Sequence, residues 1–175
     1  MSSHLKPAVS SQDHVQGTDE AVIELVEYGD YQCPHCGIAY LVIKKIQKKF
    51  GTQIRFVFRN FPLTESHAFA MSAAVATEAA ALQDKFWEMH DIIFENQKSL
   101  SDEGLLKMAG SIGLDTEQFK ADIQKEDLQE KVEADFESGI RSGVNGTPSF
   151  FVNGTKFDGG AEDLYNMLLE STTEK

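Results

Sequence analysis

Two cysteines, Cys33 and Cys36, are all that this chain contains, and they stand at the junction of two stretches with different periodicity. Upstream, Ala21 to Tyr28 (AVIELVEY) is an apolar, β-branched run of strand length that ends at Gly29-Asp30. Downstream, Ile38, Leu41, Val42, Ile46 and Phe50 recur at helical spacing, Lys44, Lys45, Lys48 and Lys49 take the complementary positions, and Gly51 closes the pattern. Ile54 to Phe58 (IRFVF) then reads as a second strand, stopped by Asn60-Phe61-Pro62. Strand, helix and strand predict a βαβ unit with a right-handed crossover. The cysteine pair falls at the N-terminus of its helix.

A pair so close in sequence encloses too short a loop to serve as a structural cross-link, so reactivity or metal binding is the better reading. At a helix N-terminus the Cys33 sulfur faces unpaired backbone N–H groups and the positive end of the helix dipole, which stabilise a thiolate. Cys33 is therefore expected to be the nucleophile. Cys36, one turn further in, is the resolving thiol that attacks a mixed disulfide. Pro34 and His35 between them are the elements that tune the redox poise, with His35 able to add positive charge. A zinc site would need about two further ligands. The chain offers no second cysteine pair, and His67 and His90 sit beside apolar residues, so no metal is expected.

The rest of the chain completes an α/β pattern. Residues 1–18 are polar and aperiodic and read as a flexible arm. From about His67 to Gly143 no proline occurs and Ala, Glu, Lys, Gln and Leu abound, which predicts an almost wholly helical insertion. Within it Asp115 and Gln118 resemble a capping box, and Leu128, Val132, Phe136 and Ile140 recur every fourth residue. Ser149 to Val152, Asn153-Gly154 and Thr155 to Phe157 predict a type I′ hairpin. A final helix carries Leu164, Met167 and Leu168 on one face. The expected division is 19–63 with 144–175 as one α/β unit and 64–143 as a helical insertion. At 175 residues and 41% hydrophobic content the chain can bury a sizeable core. A net charge of -12 argues against nucleic acid and anionic membrane surfaces as partners. The first twenty residues hold no apolar run, which predicts a cytoplasmic protein without membrane insertion, or an extracytoplasmic one if a signal has been removed.

Four segments resemble the DsbA-like branch of the thioredoxin superfamily: Glu24 to Gly37 (ELVEYGDYQCPHCG), Phe58 to Leu63 (FRNFPL), Lys85 to Phe94 (KFWEMHDIIF) and Val144 to Gly154 (VNGTPSFFVNG). The resemblance implies a thioredoxin-like fold with an inserted helical domain that exchanges disulfides with cysteine-containing proteins or peptides. It implies a redox recycling partner and no organic cofactor, since the cysteine pair itself stores two electrons. It assigns Cys33 as the attacking thiol, Cys36 as the resolving thiol and Pro34-His35 as the variable pair. Thr147-Pro148 matches the loop whose cis-proline lies against the disulfide and pairs with an extended substrate. Glu27 matches a buried acid beneath the site that exchanges protons with the inner thiol. Apart from Glu24 its strand is apolar, so Glu27 is either buried, with a raised pKa, or a solvated strand-end glutamate, and Arg55 or Arg59 could partner it. Trp87, Phe86 and Phe94 are expected to pack within the helical part.

Two other functions fit the same scaffold. One is a kappa-type glutathione transferase or isomerase, disfavoured because those relatives generally lack a paired Cys-x-x-Cys. The other is a peptide-binding or chaperone-like module with vestigial cysteines.

Overall fold

The computed structural model describes residues 3–173. Five strands, β1 (His14–Gln16), β2 (Ile23–Gly29), β3 (Ile54–Asn60), β4 (Ser149–Val152) and β5 (Thr155–Phe157), form one sheet in the order β1-β3-β2-β4-β5. β2 and β3 pair in parallel from Ile23↔Ile54 to Gly29↔Asn60, and α1 (Pro34–Phe50) makes the connection between them. Between β3 and β4 run α2 (Ala70–Ala81), α3 (Phe86–Glu95), α4 (Asp102–Ser111), α5 (Thr116–Asp122) and α6 (Glu126–Arg141), and α7 (Ala161–Thr173) closes the chain. This is the βαβ, helices, ββα order that the sequence predicts.

β2 is central, paired with β3 on one side and β4 on the other, and six of its seven residues are buried. Alternation splits its side chains between two cores. Leu25 lies with Cys33, Cys36 and the buried face of α1, while Val26 and Tyr28 lie with Leu5, Phe61 and Phe151 on the opposite side. Glu27, two residues after Leu25, falls on the cysteine side. Asn153 (φ 48°) and Gly154 (φ 86°) both take positive φ between β4 and β5, as a type I′ turn requires. Asp115 accepts the Gln118 N–H and caps α5.

Three expectations need correction. Residues 3–16 of the supposed flexible arm are built into the fold; Met1 and Ser2 lie outside the described residues. Leu5 is buried, His14–Gln16 pairs antiparallel with β3, and Asp13 binds Arg59. The edge strand is only three residues long and carries two polar side chains, so no period marks it. On α1, Ile38 and Leu41 are exposed, at 61% and 62%, while Ala39, Tyr40, Ile43 and Ile46 face inward. On α6 a strict four-residue spacing drifts around the helix by about 40° per step. Leu128 and Val132 are buried, but the inward face continues through Asp135 and Gly139, and Ile140 is left 56% exposed.

Candidate active site

Cys33 is the N-cap residue of α1, with Pro34 at the first helical position and no side-chain cap. A proline there has no N–H to lose and its φ suits the helix. The pair is in the dithiol form, and both cysteines are buried, Cys36 completely. Cys33 Sγ lies 3.8 Å from the Thr147 carbonyl oxygen, and the Asp30 N–H points at Cys36 Sγ from 3.5 Å. The Thr147–Pro148 bond is cis, and it is the Thr147 carbonyl contact that places the loop before β4 beside the cysteines.

The two thiols are driven in opposite directions. Cys33 is lowered to about 5, first by a hydrogen bond from the Cys36 thiol, against the opposing effect of burial. The Thr147 side chain and the backbone N–H groups of Cys36 and His35 add to that stabilisation. Cys36 is pushed well above the usual thiol range, first by burial and then by its bond to Cys33 and the charge of Glu27. Glu27 is itself raised to about 8 by burial and by the Cys33 charge. Its register partners are Phe58 on β3 and Phe150 on β4, and its Oε1 has no hydrogen-bond partner.

Neither arginine suggested by the sequence reaches Glu27. Arg55 pairs with Glu24 and Asp19, and Arg59 holds Asp13, the Tyr28 hydroxyl and the Ala8 carbonyl. The His35 imidazole is exposed, and the His35 backbone N–H is among the groups that lower Cys33. Phe86 and Phe94 are buried and Trp87 is partly so, packed around His90, whose Nδ1 lies 2.9 Å from the Tyr31 hydroxyl. His67 Nδ1 sits 2.8 Å from Asp30 Oδ2. Among the described residues no group of three or more His, Cys, Asp or Glu side chains is placed to hold a metal ion.

Two residues near the cysteines escape sequence reasoning. Buried Asp30 accepts the N–H groups of Gln32 and Leu63 as well as the His67 contact, and so ties the cysteine turn to the loop before α2. Gln97, 61 residues after Cys36, donates to the Cys33 carbonyl. Nothing periodic marks either; only the tertiary structure brings them in.

Two cysteines at a helix N-terminus, a buried acid beneath them and a cis-proline loop beside them stand on a thioredoxin-like fold. The chain belongs to the thioredoxin family, whose model matches residues 9–170, and within it to the DsbA-like members. Its fold superposes on oxidised BdbD from Bacillus subtilis with a TM-score of 0.83 and 27% identity, covering 99% of this chain and 96% of that one. A thioredoxin-like oxidoreductase from Silicibacter pomeroyi gives 0.78 and 26%, covering 94% of each. The thiol-disulfide exchange protein α-DsbA2 from Wolbachia pipientis gives 0.81 at 23% identity, covering 94% and 88%, a likeness of fold. By sequence the chain is also similar to part of two proteins named as Na(+)/H(+) antiporters NhaA. It is 39% identical over 153 residues to that of Salinispora tropica and 40% over 157 residues to that of Mycolicibacterium vanbaalenii, which is 87% and 89% of this chain. It spans only 23% and 25% of their lengths. Among the described residues no helix is long and apolar enough to cross a membrane.

Proposed function

We propose that this chain exchanges disulfides with cysteines of protein or peptide substrates through Cys33 and Cys36, without an organic cofactor. The observation that carries this reading is the placement of two thiols one helical turn apart, Cys33 at the N-cap of α1 and lowered to about 5, Cys36 completely buried and raised. Such a split assigns an attacking and a resolving role at neutral pH.

In the reducing direction the Cys33 thiolate attacks one sulfur of a substrate disulfide. A Cys33–substrate disulfide forms, and the other substrate sulfur leaves as a thiolate. Cys36 then loses its proton to Glu27 and attacks Cys33 Sγ. The Cys33–Cys36 disulfide forms, the second substrate thiolate leaves, and two electrons have passed to the substrate. The reverse sequence oxidises a substrate dithiol. Glu27 suits the proton transfer because in the mixed disulfide Cys33 no longer carries the charge that helps keep Glu27 protonated, which favours its carboxylate at that step, and its Oε1 has no other partner. Thr147 borders Cys33, where its backbone can pair with an extended substrate segment.

An insulin-reduction assay with dithiothreitol tests the reading. Cys33→Ser should abolish turnover, and Cys36→Ser should accumulate substrate adducts on Cys33 visible by mass spectrometry. Turnover that survives Cys33→Ser, or substrate binding indifferent to both cysteines, would refute it.

A further inference from the structure

The turn that carries the attacking thiol is held from a distant part of the chain. Gln97 opens a single 3-10 turn (Gln97–Ser99) between α3 and α4. Its Nε2 donates to the Tyr31 carbonyl at 2.9 Å and to the Cys33 carbonyl at 2.7 Å. One carboxamide thus spends both of its N–H bonds on two backbone oxygens that flank Gln32. The other end of the same amide rests on Gly37, where a Cβ would meet Oε1 at 2.4 Å and Cδ at 3.2 Å. Gly37 therefore leaves the room that Gln97 occupies.

We propose that Gln97, seated on Gly37, is a positioning residue for thiol–disulfide exchange, holding the Tyr31–Cys33 turn so that the Cys33 sulfur stays at the N-terminus of α1. The inference rests on the reading of Cys33 as the exchanging thiol. Cys33 does not cap its own helix through its side chain, so its backbone, together with the contact to the Thr147 carbonyl, fixes where the sulfur lies. Within the turn, the Cys33 N–H donates to the Asp30 carbonyl, while the Cys33 carbonyl accepts the Cys36 and Gly37 N–H groups at 3.1 Å each. Gln97 adds a tie from outside the turn that falls on the Cys33 backbone itself. Its donors also draw off the negative ends of two carbonyl dipoles close to the sulfur, which favours a thiolate there. Without Gln97 the turn is freer, the sulfur leaves the N–H groups for part of the time, and the reduced form loses stabilisation. The disulfide then becomes a weaker oxidant.

Gly37 supplies a second way to break the same contact. Gly37→Ala drives the Gln97 amide aside, because the atom it meets is the end of a flexible side chain. Alanine is also the better helix former, so this variant should keep or raise thermal stability. A role confined to stability and one in positioning therefore predict different results.

The experiment compares the parent with Gln97→Ala, Gln97→Glu, Gly37→Ala and the double variant Gln97→Ala/Gly37→Ala. The readouts are Cys33 thiolate absorbance against pH, the equilibrium constant with glutathione, and the melting temperature. Gln97→Glu is nearly isosteric but lacks the donor pair when ionised, so it carries the test if the alanine variant unfolds. Each single variant should move the thiolate titration to higher pH. Each should make the disulfide three- to tenfold less oxidising toward glutathione, tenfold being about 30 mV for a two-electron couple. The double variant should be no worse than the stronger single, because both remove one contact. Unchanged titration and equilibrium constants in Gln97→Glu and Gly37→Ala, with a parent that exchanges thiols through Cys33, would overturn the inference alone. A parent without Cys33-dependent exchange would overturn the functional reading beneath it.

Discussion

Glu27 faces Phe58 and Phe150 across the sheet register, and this apolar company, more than any charge, raises its pKa from 4.5 to about 8. Between those values the folded protein keeps the proton while the unfolded chain has lost it. The stability Glu27 contributes is thus fully present below 4.5 and is lost as pH rises through 8. Glutamine cannot ionise, so the unfolding free energy of Glu27→Gln should gain on the parent by about 1.4 kcal/mol per pH unit through that window. Urea denaturation of both proteins at several pH values measures the gap, and a constant gap would mean that Glu27 is already ionised in the fold. The sequence announces the cysteines and their roles because the reasons are local: a strand end, a helix start, and one turn between two thiols. It picks out Glu27 only through the family resemblance, since the strand carries two glutamates, Glu24 and Glu27, and nothing local tells them apart. It cannot give Glu27 its surroundings, so it offers Arg55 and Arg59, which the structure sends to Glu24 and Asp13. Asp30 and Gln97 touch the site through contacts 33 and 64 residues apart in the chain, and polar residues used singly leave no pattern.

At the scale of elements, the segment before β2 acts through one buried ion pair. Arg59 is 2% exposed and places Nε and Nη2 on the two oxygens of Asp13, at 2.8 and 3.0 Å. Asp13→Ala would leave a buried guanidinium without its counter-charge, though the Tyr28 hydroxyl and the Ala8 carbonyl would still bond it. Breaking such a pair from one side should lower the unfolding free energy by about 3 to 5 kcal/mol. Denaturant titration would measure it, and a loss below about 1 kcal/mol would mean that water replaces the carboxylate without penalty. β2, α1, β3, the hairpin and α7 are legible in the sequence because each has a period or a turn signal of its own. β1 is not, since three residues at a sheet edge are placed by the strand beside them. The outward face of α1 escapes for a different reason. Ile38 and Leu41 satisfy helical spacing among themselves, but the arc that packs is centred on Ala39, Ile43 and Ile46, and small Ala39 carries little weight in an apolar pattern.

Across the whole molecule, one buried cluster runs from β2 and α1 through α2, α3 and α4, so the helices between β3 and β4 share the core that holds the cysteines. They also brace the cysteine turn. The Phe69 N–H donates to Gln32 Oε1, His90 meets the Tyr31 hydroxyl, His67 meets Asp30, and Gln97 holds Cys33. This bracing fixes the Cys33 sulfur among donors that favour its ionised form, and that preference couples the redox state to global stability. Only the dithiol form carries the Cys33 thiolate. Its pKa is lowered from 9.0 to about 5, so the stability it contributes is present above 9.0 and is lost as pH falls through 5. An unscreened shift would widen the gap between reduced and oxidised proteins by about 1.4 kcal/mol per pH unit, and water at the mouth of the site should leave about half of that. Glu27 is raised by burial in both redox forms and by the Cys33 charge in the reduced one alone, which takes back part of the gap, and Cys36, raised far above the window, stays protonated in the reduced form. The reduced protein should therefore gain stability over the oxidised protein as pH rises from about 5 to about 9, where the unperturbed thiol itself ionises. Parallel urea titrations of the dithiol and disulfide forms would follow that gap. A gap that stays level or narrows would mean that the folded protein does not favour the Cys33 thiolate over the unfolded chain.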